Sequence, residues 1–170
     1  MAVVRPARMS PLLLAAVCLL SGCFLEEDSI TISGDGHVSF ESLVTVADQE
    51  EKLEFSNLDK LTSDVETELR GANWKVERSW ISKKRPYQFK MTGSGQLAEI
   101  GRKTRFYSLE SVGVKVYRIK FLTPGANANA SRRIFFTSSA GKTFIHDKDG
   151  AAVSQIDGPS DDVSYTIVLG

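Results

Sequence analysis

The sequence is poor in the residues that most often carry chemistry. Its 170 residues include two cysteines, Cys18 and Cys23, and two histidines, His37 and His146. Two cysteines cannot form a disulfide framework or a four-cysteine metal site, and neither histidine lies in a recognisable catalytic pattern. We therefore expect a protein that is not an enzyme and that holds no cofactor or metal. A small hydrolase that uses His37 or His146 with a carboxylate is the alternative.

The sequence also lacks an apolar run long enough to cross a membrane. Residues 12–20 form an uninterrupted apolar run, but a spanning helix needs roughly 20 residues. Arg5 and Arg8 precede this run, and Leu-Ser-Gly-Cys follows at 20–23. A basic start, a short apolar stretch and small residues before a cysteine resemble the lipobox of bacterial lipoprotein precursors. An uncleaved N-terminal anchor, or an ordinary secretory signal cut near Gly22, would explain the same pattern.

The lipobox resemblance implies how the protein is held in the cell envelope. Residues 1–22 would be a signal peptide, and Cys23 would carry a diacylglyceryl group, with its new amino terminus open to acylation by a fatty acid such as palmitate. Two or three acyl chains give stable anchoring, because each buried methylene contributes about 0.8 kcal/mol. Phe24 follows the cysteine in place of Asp, which favours the outer membrane facing the periplasm if the organism is Gram-negative. Residues 23–29 are expected to be a short acidic tether.

Charge is distributed unevenly along a chain whose formal net charge is zero. Residues 23–69 carry 13 acidic side chains against two lysines, and residues 70–133 carry 15 basic side chains against three glutamates. The acidic segment is expected to fold against the basic one. A second interpretation is a basic surface that meets anionic lipid headgroups or another envelope polyanion.

Alternation of apolar and polar residues predicts strands over most of the chain. The predicted strands form hairpins at 30–46 and at 74–91, the second ended by Gly93 and Gly95, followed by strands at 104–110, 114–122, 134–137, 143–146, 153–156 and 163–169. A helical repeat at 48–70 predicts the main helix, ended by Gly71 as a left-handed C-cap, and residues 96–103 predict a short helix. We expect residues 30–170 to form a single α+β domain, a curved antiparallel sheet of about seven to nine strands with these two helices. Sandwich and half-barrel closures fit the same pattern.

Five basic residues are the candidate ligand-binding residues. Lys83, Lys84 and Arg85 occupy the tip of the second predicted hairpin, and Arg132 and Arg133 close a loop rich in alanine and asparagine. Cations at such positions are typical of contacts with anionic lipid or glycolipid headgroups. A nucleic-acid partner is not expected, because the signal sequence predicts export.

Features spread over residues 30–169 resemble the LppM-like lipoprotein domains of actinobacteria. They are the Gly34-Asp35-Gly36 hairpin, an acidic helix before Trp74-Lys75-Val76, a strand at 87–95 that runs into Gln-Leu-Ala-Glu-Ile, and the late order Gly141, Asp149-Gly150, Val163-Ser164-Tyr165. The resemblance implies a lipid-binding fold and contact with envelope lipid or glycolipid, and it transfers no catalytic residue.

The expected protein is therefore a membrane-anchored envelope lipoprotein that binds anionic lipid or glycolipid. The alternative is a structural or assembly subunit of an envelope complex, docked on a partner protein through its acidic helix or an exposed sheet edge.

Overall fold

The computed structural model describes residues 24–46, 54–122, 131–139, 144–157 and 164–170. These ranges contain one helix and ten strands: β1 (Phe24–Ser33), β2 (His37–Val46), α1 (Phe55–Gly71), β3 (Lys75–Ser82), β4 (Gln88–Gln96), β5 (Tyr107–Gly113), β6 (Val116–Phe121), β7 (Ser131–Ser139), β8 (Phe144–His146), β9 (Gln155–Asp157) and β10 (Ser164–Val168). Cys23 and the predicted signal peptide lie outside the described residues.

The strands form two sheets rather than one. The large sheet has the order β3-β4-β2-β1-β7-β9, and the small sheet has the order β5-β6-β10-β8. Within the large sheet β1 and β7 run parallel, whereas the other pairs are antiparallel. The broad α+β class is confirmed, but the expected single antiparallel sheet is wrong. The parallel pairing joins strands that are far apart in sequence, and local periodicity contains no signal for such pairing or for the division of the strands between two sheets.

The two sheets and the helix share one apolar core. Buried residues of the large sheet, such as Ile32 and Met91, belong to the same cluster as Phe121 and Ile167 of the small sheet and Leu69 of α1. A second, smaller cluster joins Leu58 of α1 to Val46 at the end of β2.

The predicted short helix at 96–103 is wrong. Gln96 is the last residue of β4, and its carbonyl oxygen accepts hydrogen bonds from the N–H groups of Glu99 and Ile100, which closes a turn. The next residue, Gly101, donates its N–H to the carbonyl of Ala72, which directly follows α1. This tertiary hydrogen bond replaces the bond within the turn that would continue a helix. Leu97 and Ile100 are buried, as their apolar character predicts.

The boundaries of α1 and β1 also differ from those that the sequence predicts. Helix α1 ends at Gly71, but the left-handed residue after it is Asn73, with φ of 63°, rather than Gly71. Asparagine tolerates this conformation better than most residues do. Strand β1 begins at Phe24, so the described part of the expected tether, residues 24–29, is paired with β2, and residues 25–29 are also paired with β7.

Candidate ligand cavity

An apolar cavity of about 130 Å³ lies between the large sheet, the small sheet and α1. Alternate residues of a strand point to the same side of a sheet, so Ile30 and Ile32 of β1 face the interior together. The remaining apolar lining comes from all three layers: Val38, Phe40, Val65, Leu69, Trp74, Met91, Leu97, Ile100, Phe106, Tyr107, Ile119, Phe121, Phe136 and Ile167.

Gly93 makes room for one wall of this cavity. The ring of Phe40 on β2 lies over Gly93 on β4, where a Cβ atom would overlap the ring. The ring of Phe40 also meets Trp74 edge to face, with centroids 5.2 Å apart. A side chain at position 93 would displace both rings, so the glycine that was expected to end β4 is instead a packing requirement of its centre.

Trp74 and Tyr107 form a polar link inside the apolar wall. The indole N–H of Trp74 donates to the Tyr107 hydroxyl at 2.8 Å, and that hydroxyl donates to the carbonyl of Gly101 at 2.9 Å. Both side chains are buried. Burial raises the pKa of the Tyr107 hydroxyl above its usual value, although the hydrogen bond from Trp74 opposes this shift. The link fixes both rings where they line the cavity.

Helix α1 covers the cavity with Val65 and Leu69, and charged contacts fix its position over β3. The guanidinium of Arg78 on β3 lies 2.6 Å from the Asp59 carboxylate and 3.3 Å from that of Glu66, and it donates to the Thr62 hydroxyl at 2.7 Å. The indole N–H of Trp80 donates to Asp59 at 2.8 Å. The hydrogen bonds from Arg78 and then Trp80 hold the pKa of Asp59 below its ordinary value.

The cavity has one polar end. Its polar lining residues are Glu26 and Asp28 of β1 and Ser42 of β2, and Ser42 lies directly opposite Asp28 in the β1–β2 register. Asp28 is only 6% exposed. Carboxylate and hydroxyl oxygens accept hydrogen bonds, so this end suits a group that donates them, such as a hydroxyl or an amine.

The size of the cavity limits what it can hold. A dry cavity of about 150 Å³ accommodates a benzene molecule, whereas complete ligand pockets usually measure about 300–1,000 Å³. The interior therefore fits one ring-sized apolar group or the end of an acyl chain. A larger ligand would have only part of its length inside.

Four of the predicted basic residues, Lys83, Lys84, Arg85 and Arg133, lie on the surface, away from the cavity. Lys83, Lys84 and Arg85 are exposed at the β3–β4 turn, where the ammonium of Lys83 lies 5.8 Å from the Phe55 ring centroid. Arg133 on β7 is exposed and lies 3.8 Å from Glu27 of β1. Strands β2 and β1 separate the β3–β4 hairpin from β7, which places β4 about 14 Å from β7. These cations therefore form two groups, with Arg132 next to Arg133 in β7.

Ion pairs between the acidic and basic segments support the expectation that the two fold together. Besides Arg78 with Asp59 and Glu66, these pairs are Arg70 with Glu66, Lys90 with Glu41, Arg105 with Glu68 and Arg133 with Glu27. Much of the charge segregation along the chain is therefore used within the fold.

Other candidate chemistry does not converge on the cavity. His37 is exposed at the start of β2, and the Nδ1 atom of His146 lies 3.1 Å from the Gly150 carbonyl in a turn; neither lines the cavity. In the described part of the chain, His, Cys, Asp and Glu side chains do not gather in threes as metal ligands would. The helix found there is too short and too polar to span a bilayer.

No protein-family description matches the chain, and no curated protein matches it. It is similar to the NMR structure of the folded domain of LppM from Mycobacterium tuberculosis, with a TM-score of 0.46 and 17% identity over 85% of this chain and 88% of that one. No function of this chain is inferred from this likeness.

Proposed function

We propose that the protein is a membrane-anchored lipoprotein of the cell envelope whose folded domain binds a glycolipid or another lipid with a hydroxyl-bearing headgroup. Cys23 is the proposed site of lipid attachment. The observation that supports ligand binding is the apolar cavity under α1, whose polar lining residues are Glu26, Asp28 and Ser42.

Each part of the cavity favours a different part of such a ligand. The apolar interior removes an acyl end or a ring from water at a gain of about 0.8 kcal/mol per methylene. The carboxylates accept hydrogen bonds from sugar or glycerol hydroxyls and repel a phosphate group. Between the two ligand classes that the sequence suggested, the cavity therefore favours a glycolipid over an anionic phospholipid, whose contact would be limited to the basic surface residues.

A matched pair of probes tests the ligand class. Octyl glucoside and octyl phosphate have the same chain but differ in the headgroup, and calorimetry or NMR titration below their micelle concentrations measures binding to the protein. We expect octyl glucoside to bind at least about tenfold more tightly, a difference of about 1.4 kcal/mol. Tighter binding of the phosphate would contradict the proposed role of the acidic end.

A pair of helix variants tests the location of binding. Val65→Phe adds a ring to the cavity lining, whereas Thr67→Phe adds the same ring to an exposed position of α1. We expect Val65→Phe to weaken octyl glucoside binding by about tenfold or more because it fills the space, and Thr67→Phe to leave it within about twofold. Equal effects of the two variants on octyl glucoside binding would show that the ligand binds outside the cavity.

The anchor is tested separately by mass. The protein purified from its own membranes should begin at Cys23 and carry a diacylglyceryl group, and the Cys23→Ala variant should lack this group. If the protein is unmodified or is cleaved elsewhere, the proposed lipid anchor at Cys23 is wrong, whereas the proposed binding of a ligand in the cavity is not affected.

A further inference from the structure

The start of β1 determines which end of the domain meets the membrane. Strand β1 begins at Phe24, so Cys23 is the only residue between the proposed lipid and a paired strand. One residue spans at most about 3.6 Å of chain. The end of the large sheet where β1 starts therefore cannot move far from the bilayer surface.

The strand registers show what else lies at that end. Leu25 is opposite Thr45 of β2, Thr45 is opposite Gln88 of β4, and Gln88 is opposite Ser82 of β3. The β3–β4 turn with Lys83, Lys84 and Arg85 follows directly after Ser82. The basic tip and the start of β1 thus share one end of the sheet, about 10–14 Å apart across two to three strand spacings.

Exposed apolar side chains at this end fit a membrane contact. Leu25 is 46% exposed and Ile81 is 57% exposed. Cations next to apolar side chains are typical of protein surfaces that rest in the headgroup region. A second candidate for the membrane contact, here called the rival surface, is the β5–β6 turn, where Val114 is 92% exposed beside Lys115.

The rival surface lies at the opposite end of the large sheet. The ammonium of Lys115 lies 3.2 Å from the Gly170 carbonyl oxygen, and a Cβ on Gly34 in the β1–β2 turn would lie 3.6 Å from that same oxygen. Strand β1 has ten residues, so its two ends are about 30 Å apart. Only one of these two surfaces can rest on the bilayer that holds Cys23.

The polar end of the cavity lies toward the anchored end. Along β1 the cavity lining runs from Glu26 and Asp28 to Ile30 and Ile32, so its acidic residues come first after Leu25. On β2 the polar lining residue, Ser42, is opposite Asp28.

We infer that the domain rests on its own bilayer through Leu25, Ile81 and the basic tip, and that the cavity takes its ligand from that bilayer. This inference depends on the proposed anchor at Cys23. It identifies the ligand source as the membrane beneath the domain, with the hydroxyl-bearing headgroup held at the acidic end of the cavity and the apolar part directed toward Ile32.

Lysine reactivity tests the orientation. The mature protein is reconstituted in vesicles of phosphatidylcholine and phosphatidylglycerol, treated with an acetylating reagent, and compared by mass spectrometry with the same protein in detergent. We expect acetylation of Lys83 and Lys84 to be about fivefold slower on vesicles, and that of Lys115 to be unchanged. Protection of Lys115, or equal labelling of all three lysines, would overturn the inference.

A spacer variant is the matched control. Insertion of twelve Gly and Ser residues between Cys23 and Phe24 provides a flexible reach of about 20 Å and releases the constraint on orientation. The protection of Lys83 and Lys84 should fall toward the detergent value. Protection of the same size with the spacer would contradict the argument that the short connection sets the orientation.

Failure of the anchor is distinguishable from failure of the orientation. If the mass of the purified protein shows no lipid on Cys23, the proposed anchor is wrong. The Cys23 thiol is then coupled to a maleimide phospholipid, and the same labelling decides the orientation. The source of the ligand is tested with a long-chain diacyl glycolipid that does not leave the vesicles through water: the anchored protein should take it up, Val65→Phe should reduce this uptake about tenfold, and equal uptake by the two proteins would overturn a bilayer-loaded cavity.

Discussion

Helix α1 is held on its two sides by different kinds of contact. Toward β3, Thr62, Asp59 and Glu66 surround the guanidinium of Arg78 at hydrogen-bonding distances. On its other side, toward the interior between the two sheets, Val65 and Leu69 line the cavity and do not fill it. Charged hydrogen bonds depend on distance and direction, whereas apolar contacts depend on filled volume. The polar side can therefore fix the helix at a set position, so that the apolar side keeps room for a ligand.

Leu69→Ala should have the largest effect, because it removes apolar volume from the cavity side. We expect a loss of about 3 kcal/mol in the free energy of unfolding, measured in urea, since a buried leucine is replaced by empty space. Leu69 is 6% exposed and Leu58 is 1% exposed on the same helix, but only Leu69 lines the cavity.

Leu58→Ala is therefore the matched control for Leu69→Ala. The two variants should lose similar stability, but only Leu69→Ala should change octyl glucoside binding. If both variants change octyl glucoside binding by the same amount, binding depends on the general stability of α1 rather than on the side chains that line the cavity.

Local patterns in the sequence predicted much of the fold but not this division of contacts. The β1–β2 and β3–β4 hairpins and the acidic helix follow from periodicity and turn residues, and the structure has all three. The division of the strands between two sheets and the parallel pairing of β1 with β7 are both long-range features, and the paired residues of β1 and β7 are about a hundred residues apart in sequence. Periodicity within a short window contains no information on such pairing.

Sequence patterns do not predict the cavity, because its lining resembles ordinary core residues. A glycine such as Gly93 is typical of the end of a strand, although Gly93 lies inside β4 under the Phe40 ring. The acidic run at 26–28 is typical of a polar tether, yet Asp28 is a buried strand residue that lines the cavity. A glycine in a strand and an acid in line with Ile30 and Ile32 were the available signals, and both gain meaning only once the strands are placed.

Arg78→Ala should have an intermediate effect, because it removes the centre of the polar side. Its side chain is 18% exposed, and its guanidinium contacts two carboxylates and one hydroxyl. We expect a loss of about 2 kcal/mol in the free energy of unfolding, less than for a fully buried pair because solvent partly screens this site.

Arg118→Ala is the control for loss of an arginine. Its side chain is 52% exposed and its guanidinium lies 3.5 Å from the Glu110 carboxylate, so we expect a loss below about 0.5 kcal/mol in the free energy of unfolding. Similar losses for Arg78→Ala and Arg118→Ala would show that the contacts of Arg78 add little, and the proposed positioning of α1 by its polar side would be wrong.

The smallest effect should come from pH, through Asp59 on the polar side. Hydrogen bonds from Arg78 and Trp80 hold the pKa of Asp59 below 3.8 in the folded protein, whereas in the unfolded chain it returns to about that value. The unfolded chain therefore takes up this proton first as pH falls. The stabilisation is complete above about pH 3.8 and is lost as pH falls through the folded pKa. Urea unfolding of wild type and Asp59→Asn should differ at pH 6 and converge toward pH 2.

Asp35 provides an independent comparison for this pH dependence. Its pKa is also lowered, chiefly by a hydrogen bond from the Ser33 hydroxyl in the β1–β2 turn, and it shares no partner with Asp59. The effects of Asp59→Asn and Asp35→Asn on the pH profile should therefore add in the double variant. The contrary result is a pH dependence of the free energy of unfolding that is unchanged by Asp59→Asn but flattened by Asp35→Asn. In that case the acid-sensitive contact lies in the β1–β2 turn, and the contacts of Asp59 do not contribute to the pH dependence.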